Sequence, residues 1–332
     1  MSGAGRVSAL LPWQQPQWDN LQSRIAQDNL PHALLLTGRR GVGKLHFARQ
    51  LGERLLCSDD QPAPCGQCKG CRLISAGTHP DLKVIQPPQD KSVISVDQIR
   101  ELTHYLSLTS LCGGYQVVLI SPADAMNVNA ANSLLKTLEE PPANTLLLLM
   151  SDRPSALTAT IRSRCQVINF EKPAHDSALA WLKNEQPALD TKTANTVLEL
   201  ADGAPLRAAD MVTQGALNQR TEMLDDLEQI AAGRCDPIEI AKKWLKLGKK
   251  ESLYWVYGWL VDMVRMKVAN QPPYIANADI ASRLSKIAAT IELPLLYKRL
   301  DQVSEALRLA DNPSLNAELL LEGVLIGWTP RR

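Results

Sequence analysis

The sequence lacks an excess of either charge, and it lacks any long apolar run. Its 36 basic and 35 acidic residues, among 332, give a formal net charge of +1. This balance argues against a dedicated nucleic-acid scaffold with a strong overall field, although it leaves room for a local patch. No apolar run approaches the ~18 to 20 residues that span a bilayer, and Pro12 and Trp13 interrupt any signal-peptide core near the start. We therefore expect a cytoplasmic protein with no membrane association.

Fixed-period repeats and low-complexity tracts are also missing, which argues against a solenoid. Apolar residues make up 45% of the chain and charged residues 21%, as in soluble globular proteins. At about 100 to 200 residues per domain, the length allows two or three domains. Specific function must therefore be sought in local motifs.

One glycine-rich segment matches a phosphate-binding loop except at its last position. In loops of the form G-x-x-x-x-G-K-[ST], backbone N–H groups cradle the phosphates, the lysine reaches the outer phosphates and the hydroxyl ligates magnesium. The candidate nucleotide-binding residues are Gly38, Gly41, Gly43 and Lys44. Leu45 stands where the hydroxyl belongs and cannot bind a metal ion. The loop retains a cradle for an anion, and binding of ATP or ADP stays open.

A second defect lies after the apolar run at residues 116–120. Phosphate-loop ATPases carry an acidic residue at the end of a neighbouring strand, where it positions the metal ion and water. Here Ser121 and Pro122 follow the run, and the nearest carboxylate belongs to Asp124. Asp124 could reach back as a substitute, yet two defects in one metal site predict little or no ATP hydrolysis by this chain.

Four of the seven cysteines are clustered. They are Cys57, Cys65, Cys68 and Cys71. Two overlapping C-x-x-C steps with a fourth thiolate upstream can surround one tetrahedral Zn²⁺, and a site closed by four protein ligands is structural. An iron–sulfur cluster is the alternative that four thiolates also satisfy. The remaining cysteines are expected to be small buried residues: Cys112, Cys165 and Cys235.

The first half of the sequence alternates strand-like and helix-like segments. The predicted strands are residues 32–37, 82–86, 116–120, 145–150 and 166–170, and a helix is predicted over 129–140. Apolar strands separated by helices indicate a parallel sheet covered on both faces. After Pro173 only helical patterns occur. Ser95 and Gln98 form a capping-box pattern, and Trp13 and Trp18 are expected to fasten the N-terminal segment to the core.

Three further strings accompany these motifs. Residues 129–142 read NAANSLLKTLEEPP, residues 160–165 read TIRSRC and residues 203–208 read GAPLRA. With the phosphate loop and the cysteine cluster, they resemble the AAA+ subunits of bacterial sliding-clamp loaders, within the DNA polymerase III holoenzyme. The resemblance implies an AAA+ phosphate-loop domain over residues 1–170 with a zinc-binding insertion at 57–71, a helical lid domain over 171–208 and a helical collar domain over 209–332.

The resemblance also implies a role for Arg164, in the string Ser163-Arg164-Cys165. In clamp loaders this arginine projects across a subunit interface to the γ-phosphate of ATP on a neighbour. A guanidinium supplied in this way raises the rate of phosphoryl transfer by about 10³- to 10⁵-fold. A local salt bridge is the alternative role. Ser151 and Arg207 match a polar nucleotide sensor and a lid sensor, with purely structural roles as the alternative.

Motor subunits of this family keep both the metal-binding hydroxyl and an acidic pair after the second strand, whereas another subunit has lost its nucleotide chemistry. Leu45 and Ser121-Pro122 match the second kind. The resemblance then implies a hetero-pentamer with gamma/tau motor subunits and a delta subunit, which loads the sliding clamp onto primed DNA at the replisome. The alternatives are a catalytically active gamma/tau-like motor subunit, with Asp124 and water as metal ligands, and a small-substrate kinase.

Overall fold

The computed structural model describes residues 10–59, 64–88, 91–269, 272–310 and 315–329. Residues 60–63 of the predicted cysteine insertion lie outside this described part. The chain divides into two compact units, Met1–Ala178 and Leu179–Arg332. The finer division into three domains, at residues 170 and 208, stays a prediction. Within the described ranges, no helix combines the length and the apolar character that crossing a membrane requires.

The first unit is built on a parallel five-stranded sheet. Its strands are β1 (Ala33–Gly38), β2 (Leu82–Ile85), β3 (Gln116–Ile120), β4 (Thr145–Ser151) and β5 (Gln166–Phe170). They are ordered β2-β3-β4-β1-β5, and every neighbouring pair is parallel. All residues of β3 and β4 are buried, as expected for strands that are covered on both faces. Each predicted strand is present, with ends that differ by at most one residue.

Helices cover both faces of this sheet. The helices of the first unit are α1 (Gln15–Ala26), α2 (Lys44–Leu56), α3 (Lys69–Ser75), α4 (Val96–Leu106), α5 (Val128–Glu139), α6 (Ala159–Arg164) and the start of α7 (His175–Glu185). On one face, α4, α5 and α6 share a core with Val118 of β3. On the other, a Cβ built on Gly52 of α2 would lie 3.3 Å from Val117 Cγ1. Neighbouring strand residues point to opposite faces, so β3 is packed from both sides.

The helix boundaries follow from local capping. Ser95 Oγ accepts a hydrogen bond from Gln98 N at 3.4 Å, and Gln98 Oε1 accepts one from Ser95 N at 3.0 Å, which confirms the predicted capping box at the start of α4. Asn127 Oδ1 accepts from Ala130 N at 2.8 Å and begins α5. Since proline cannot continue a helix, Pro141 and Pro142 limit α5 to the stretch that ends at Glu139.

The second unit contains helices and no strand in its described residues. They are the end of α7, α8 (Thr191–Leu200), α9 (Pro205–Thr213), α10 (Ala216–Ala231), α11 (Pro237–Leu247), α12 (Lys249–Val268), α13 (Ala281–Ala289), α14 (Leu293–Leu309) and α15 (Ala317–Ile326). Trp244 and Trp259 lie fully buried in its core. The predicted α/β class, a parallel sheet with helices on both faces followed by an all-α region, is confirmed.

Candidate functional site

The glycine-rich loop joins β1 to α2 as the sequence predicts. Gly38, Gly41 and Gly43 have φ angles of 139°, 86° and 96°, a range that favours glycine over residues with a side chain. At Gly38 a Cβ atom would lie 2.3 Å from the carbonyl oxygen of Phe170 on β5. The loop therefore has the strand, turn and helix order of a phosphate-binding loop.

Lys44 is turned onto the loop itself. Its Nζ donates to the carbonyl oxygen of Gly38 at 2.6 Å, to that of Arg39 at 2.8 Å and to Asp152 Oδ1 at 2.6 Å. The side chain is only 6% exposed. A lysine ammonium has three donors, so this chain itself satisfies all of them. Binding of a phosphate by Lys44 would require at least one of these contacts to break.

The N-terminal segment covers the same loop. Trp13 Nε1 donates to the carbonyl oxygen of Val42 at 2.9 Å, and Gln14 Nε2 donates to that of Gly43 at 2.9 Å. A Cβ atom on Gly43 would lie 2.4 Å from Leu11 Cδ1. The ring of Trp18 meets Phe47 of α2 edge-to-face, with centroids 5.8 Å apart. The expectation that Trp13 and Trp18 fasten the N-terminal segment to the core is confirmed.

Polar side chains at the carboxyl ends of β3 and β4 pair with one another. Ser151 Oγ donates to Asp124 Oδ1 at 2.8 Å, and Arg153 Nε donates to Asp124 Oδ2 at 3.4 Å. Both carboxylate oxygens of Asp124 are thus engaged, and its side chain is 5% exposed. Asp124, the candidate substitute for the missing metal ligand, is therefore hydrogen-bonded in a local network that also includes the predicted sensor Ser151.

Sequence reasoning missed Asp152, the ion-pair partner of Lys44. Its position carried a signal, because it directly follows the last residue of β4, and β4 lies beside β1 in the sheet. The register pairs Thr37 of β1 with Ser151 of β4, which brings the chain after β4 close to the phosphate loop. Leu45, the second residue of α2, is half-buried and offers only an aliphatic side chain. At this loop Lys44 is thus hydrogen-bonded within its own chain, and Leu45 supplies no hydroxyl group for a metal ion.

Arg164 is the last residue of α6. Its Nη2 lies 2.5 Å from Glu139 Oε1, and its Nη1 donates to the carbonyl oxygen of Thr160 at 3.1 Å. The arginine side chain is 34% exposed. The neighbouring Cys165 is buried, and this burial raises the pKa of its thiol to about 12, so Cys165 remains a neutral packing residue. Within this string the Cys165 side chain is therefore buried, and the Arg164 side chain stays partly accessible to solvent.

The fold brings the four clustered cysteines together. Their sulfur atoms lie within 4.8 Å of one another, with 3.9 Å between Cys57 and Cys68 and 4.0 Å between Cys65 and Cys71. Four sulfurs at about 2.3 Å from a tetrahedral zinc ion would be about 3.8 Å apart. The donor set and its spacing therefore fit a closed four-thiolate metal site at the start of α3.

Backbone N–H groups support a thiolate in this cluster. Burial opposes ionisation of Cys68, yet hydrogen bonds from the Cys71 N–H and from Ser58 lower the pKa of Cys68 to about 6. Burial raises the pKa of the Cys71 thiol, and the nearby Cys68 and Cys57 raise it further. Four thiolates this close repel one another. A divalent cation at their centre would offset that repulsion and favour the deprotonated ligands.

Two other expectations have different outcomes. Cys112 and Cys235 are exposed and only Cys165 is buried, so the expectation of burial was wrong for two of the three cysteines outside the cluster. Cys112 lies in a loop where the backbone N–H groups of Leu111 and Cys112 donate to Asp81. Arg207 is an exposed residue of α9 in the second unit, and its role as a lid sensor stays a prediction.

Comparison with known proteins places the whole chain. The family described as "DNA polymerase III, delta subunit" matches residues 13–174, and "DNA polymerase III, delta subunit, C terminal" matches residues 214–330. DNA polymerase III subunit delta′ of Pseudomonas aeruginosa is 33% identical over 324 residues, which are 97% of this chain and 98% of that protein. The chain belongs to the delta′ family of DNA polymerase III subunits. The Escherichia coli delta′ subunit is 31% identical over 95% of this chain and 94% of its own length.

A relative with a different subunit name, tau, is similar over a smaller part of the chain. DNA polymerase III subunit tau of Salmonella typhimurium is 34% identical over 203 residues, which cover 59% of this chain and 31% of that protein. The similarity to the delta′ relatives instead extends through the helical second unit. Membership of the delta′ family thus rests on both units.

Proposed function

We propose that this delta′ family member works in a DNA polymerase III clamp loader, in the cytoplasm at sites of replication. Its partners there are gamma/tau motor subunits and a delta subunit in a hetero-pentamer that loads the sliding clamp onto primed DNA. Family membership over nearly the full length of the delta′ relatives supports this role. A test is reconstitution: the complex that contains this chain should load a clamp onto primed DNA, and the complex without it should not.

The chain itself is proposed to lack ATPase activity. The observation that carries this proposal is the state of Lys44, whose three donors are used by two loop carbonyls and Asp152. Leu45 supplies no metal ligand, and Asp124 is held by Ser151 and Arg153. The test is steady-state ATP turnover by the purified chain. Turnover that is abolished by Lys44→Ala would contradict the proposal and favour the motor-type alternative.

Arg164 is proposed to act in trans as an arginine finger on ATP bound to the neighbouring motor subunit. A guanidinium has five N–H donors, and Arg164 uses two of its nitrogens in contacts with Glu139 and Thr160. Three N–H donors and a 34% exposed side chain remain for phosphate oxygens. In phosphoryl transfer such a group stabilises charge that develops on the equatorial oxygens.

The test of this finger is Arg164→Ala in the reconstituted complex, with Arg162→Ala as the matched control. Arg162 is an exposed arginine two residues earlier on the same short helix. DNA- and clamp-stimulated ATP hydrolysis at the adjoining site should fall about 10³-fold or more for Arg164→Ala, while the subunits still assemble. Hydrolysis that is unchanged, or that falls equally in the Arg162 control, would remove the finger from the proposal.

The cysteine cluster is proposed to hold one structural zinc ion. The four sulfurs have the mutual distances that tetrahedral thiolate ligation requires, and no position remains open for a reacting water. Metal analysis of the purified chain should give about one zinc per chain. A colourless, zinc-free protein in which all four clustered thiols react with a thiol reagent would contradict the assignment, and a coloured iron-containing protein would favour the iron–sulfur alternative.

A further inference from the structure

Glu139 contacts the arginine that the proposed function assigns to a neighbour's ATP. It is the last residue of α5, and α5 stops there because two prolines follow Glu140. Its carboxylate meets Arg164 Nη2 at 2.5 Å, between side chains that are 49% and 34% exposed. The pair therefore joins the ends of two short elements that already pack together in one core, α5 and α6.

The geometry leaves the reactive side of the guanidinium available. Thr160 lies one helical turn before Arg164, and its carbonyl oxygen accepts from Nη1 at 3.1 Å. Glu139 Oε1 forms an ion pair with Nη2. Each terminal nitrogen carries two N–H groups and Nε carries one, so three donors remain after these contacts. Arginine side chains lose considerable rotamer freedom when they are fixed, and the two contacts fix this one within its own chain.

We infer that Glu139 is a positioning residue for the trans-acting Arg164, a role that rests on the proposed finger function. The carboxylate holds the guanidinium in one orientation before the neighbouring subunit docks. The neighbour's triphosphate then meets a preorganised fork and does not have to select one rotamer of a mobile chain. Glu139 itself touches neither ATP nor the reacting phosphate in this scheme, and it acts through Arg164 alone.

The charges of the groups involved favour a positioning role for Glu139. They argue against a permanent pairing that would keep Arg164 away from a phosphate. Glu139 is half exposed, so water screens its attraction for the arginine. A triphosphate with its magnesium still carries net negative charge and offers several oxygens. A guanidinium can contact two of these oxygens at once, and such a bidentate contact is stronger than a single one. The remaining donors of Arg164 can therefore engage phosphate while Glu139 keeps its place on Nη2.

The test measures ATP hydrolysis in the reconstituted complex, with every motor site except the adjoining one inactivated by Lys→Ala in its phosphate loop. Glu139→Gln keeps the size of the side chain and removes its charge. Its matched control is Glu140→Gln, the same charge change at the next exposed residue. We expect Glu139→Gln to lower kcat about two- to five-fold, the fold-change that corresponds to an exposed ion pair, with KM changed less than kcat. The control should match the unmodified complex.

A double-mutant cycle with Arg164→Ala separates positioning from a general structural effect. If Glu139 acts only through the arginine, Glu139→Gln should cause no further loss once Arg164 is alanine. A loss that persists in the Arg164→Ala background would overturn the inference, and so would a rise in hydrolysis on Glu139→Gln, which would mean that the carboxylate restrains the finger. If Arg164→Ala itself has no effect, the proposed finger function fails first and Glu139 has nothing to position.

Discussion

Replacement of Lys44 by alanine should destabilise this protein without loss of its function in the complex. In an active phosphate loop the lysine binds nucleotide, and its loss is a loss of activity. Here the ammonium holds two carbonyl oxygens of its own loop and the carboxylate of Asp152 at 2.6 to 2.8 Å. The same substitution should therefore report on folding.

The size of the effect follows from burial. Hydrogen bonds to charged groups contribute about 1.5 to 3 kcal/mol each to stability, but Asp152 is 35% exposed and can regain water when the lysine is removed. Counting the two carbonyl contacts at the lower end of this range, and discounting the ion pair for solvent screening, we expect a loss of about 3 kcal/mol in the free energy of unfolding. The melting temperature should fall by roughly 6 to 12 °C for a unit of this size.

The assay is urea unfolding of the purified chain followed by circular dichroism, together with clamp loading by the reconstituted complex. Lys44→Met keeps most of the aliphatic volume and separates packing from charge. Arg40→Ala is the matched control, because Arg40 is an exposed cation of the same loop. We expect clamp loading within about two-fold of the unmodified complex for every variant. Unchanged stability together with lost ATP binding in Lys44→Ala would refute the reasoning, since the lysine would then serve nucleotide.

Two further predictions concern buried carboxylates. Burial opposes ionisation of the Asp81 carboxyl, yet N–H bonds from Leu111 and Cys112 hold its pKa below the usual range. Its contribution to the stability of the fold is therefore present above about pH 4 and is lost as pH falls through the lower folded pKa. Asp81→Asn should cost about 1 to 3 kcal/mol at neutral pH and flatten the acid limb of stability against pH; an unchanged limb would contradict this. Asp262 is fully buried and accepts hydrogen bonds from Asn277 N and Nδ2 at 2.8 Å. Asp262→Ala should therefore lower the free energy of unfolding by roughly 2 to 4 kcal/mol, whereas Asp301→Ala, at an exposed residue, should lower it little. Equal losses for the two variants in urea unfolding would refute the role of Asp262 in stability.

Local patterns were sufficient to predict the architecture. The central strands β1, β3 and β4 are apolar runs that are buried on both faces, so their composition alone predicts their burial. The edge strands β2 and β5 are partly exposed and were predicted from the same apolar pattern. The capping box of Ser95 and Gln98 involves residues three apart, and all its atoms come from one turn of chain. The cysteine cluster likewise lies within 15 residues of sequence, with spacing that the chemistry of thiolate ligation already restricts.

The missed residues act through partners that are distant in sequence. Asp152 is 108 residues from Lys44, and their contact exists only because β4 lies beside β1 in the sheet. Glu139 precedes two prolines, a position from which the sequence indicates no more than a solvated or hydrogen-bonded carboxylate. Its pairing with Arg164 depends on how α5 and α6 pack. The loop that carries the exposed Cys112 is held by Asp81, about 30 residues earlier in the sequence. Such contacts follow from strand order and helix packing, which single-residue patterns do not encode.

Lys44 and Arg164 are both paired with a carboxylate of their own chain, but the two pairs differ in what they leave free. Lys44 is 6% exposed, and all three N–H donors of its ammonium contact groups of the same chain. Arg164 is 34% exposed and keeps three of five donors. An anion that approaches Lys44 must displace existing bonds, whereas one that approaches Arg164 adds bonds to a fixed fork. This contrast favours a chain whose own phosphate loop serves folding and whose arginine serves a neighbouring subunit's nucleotide.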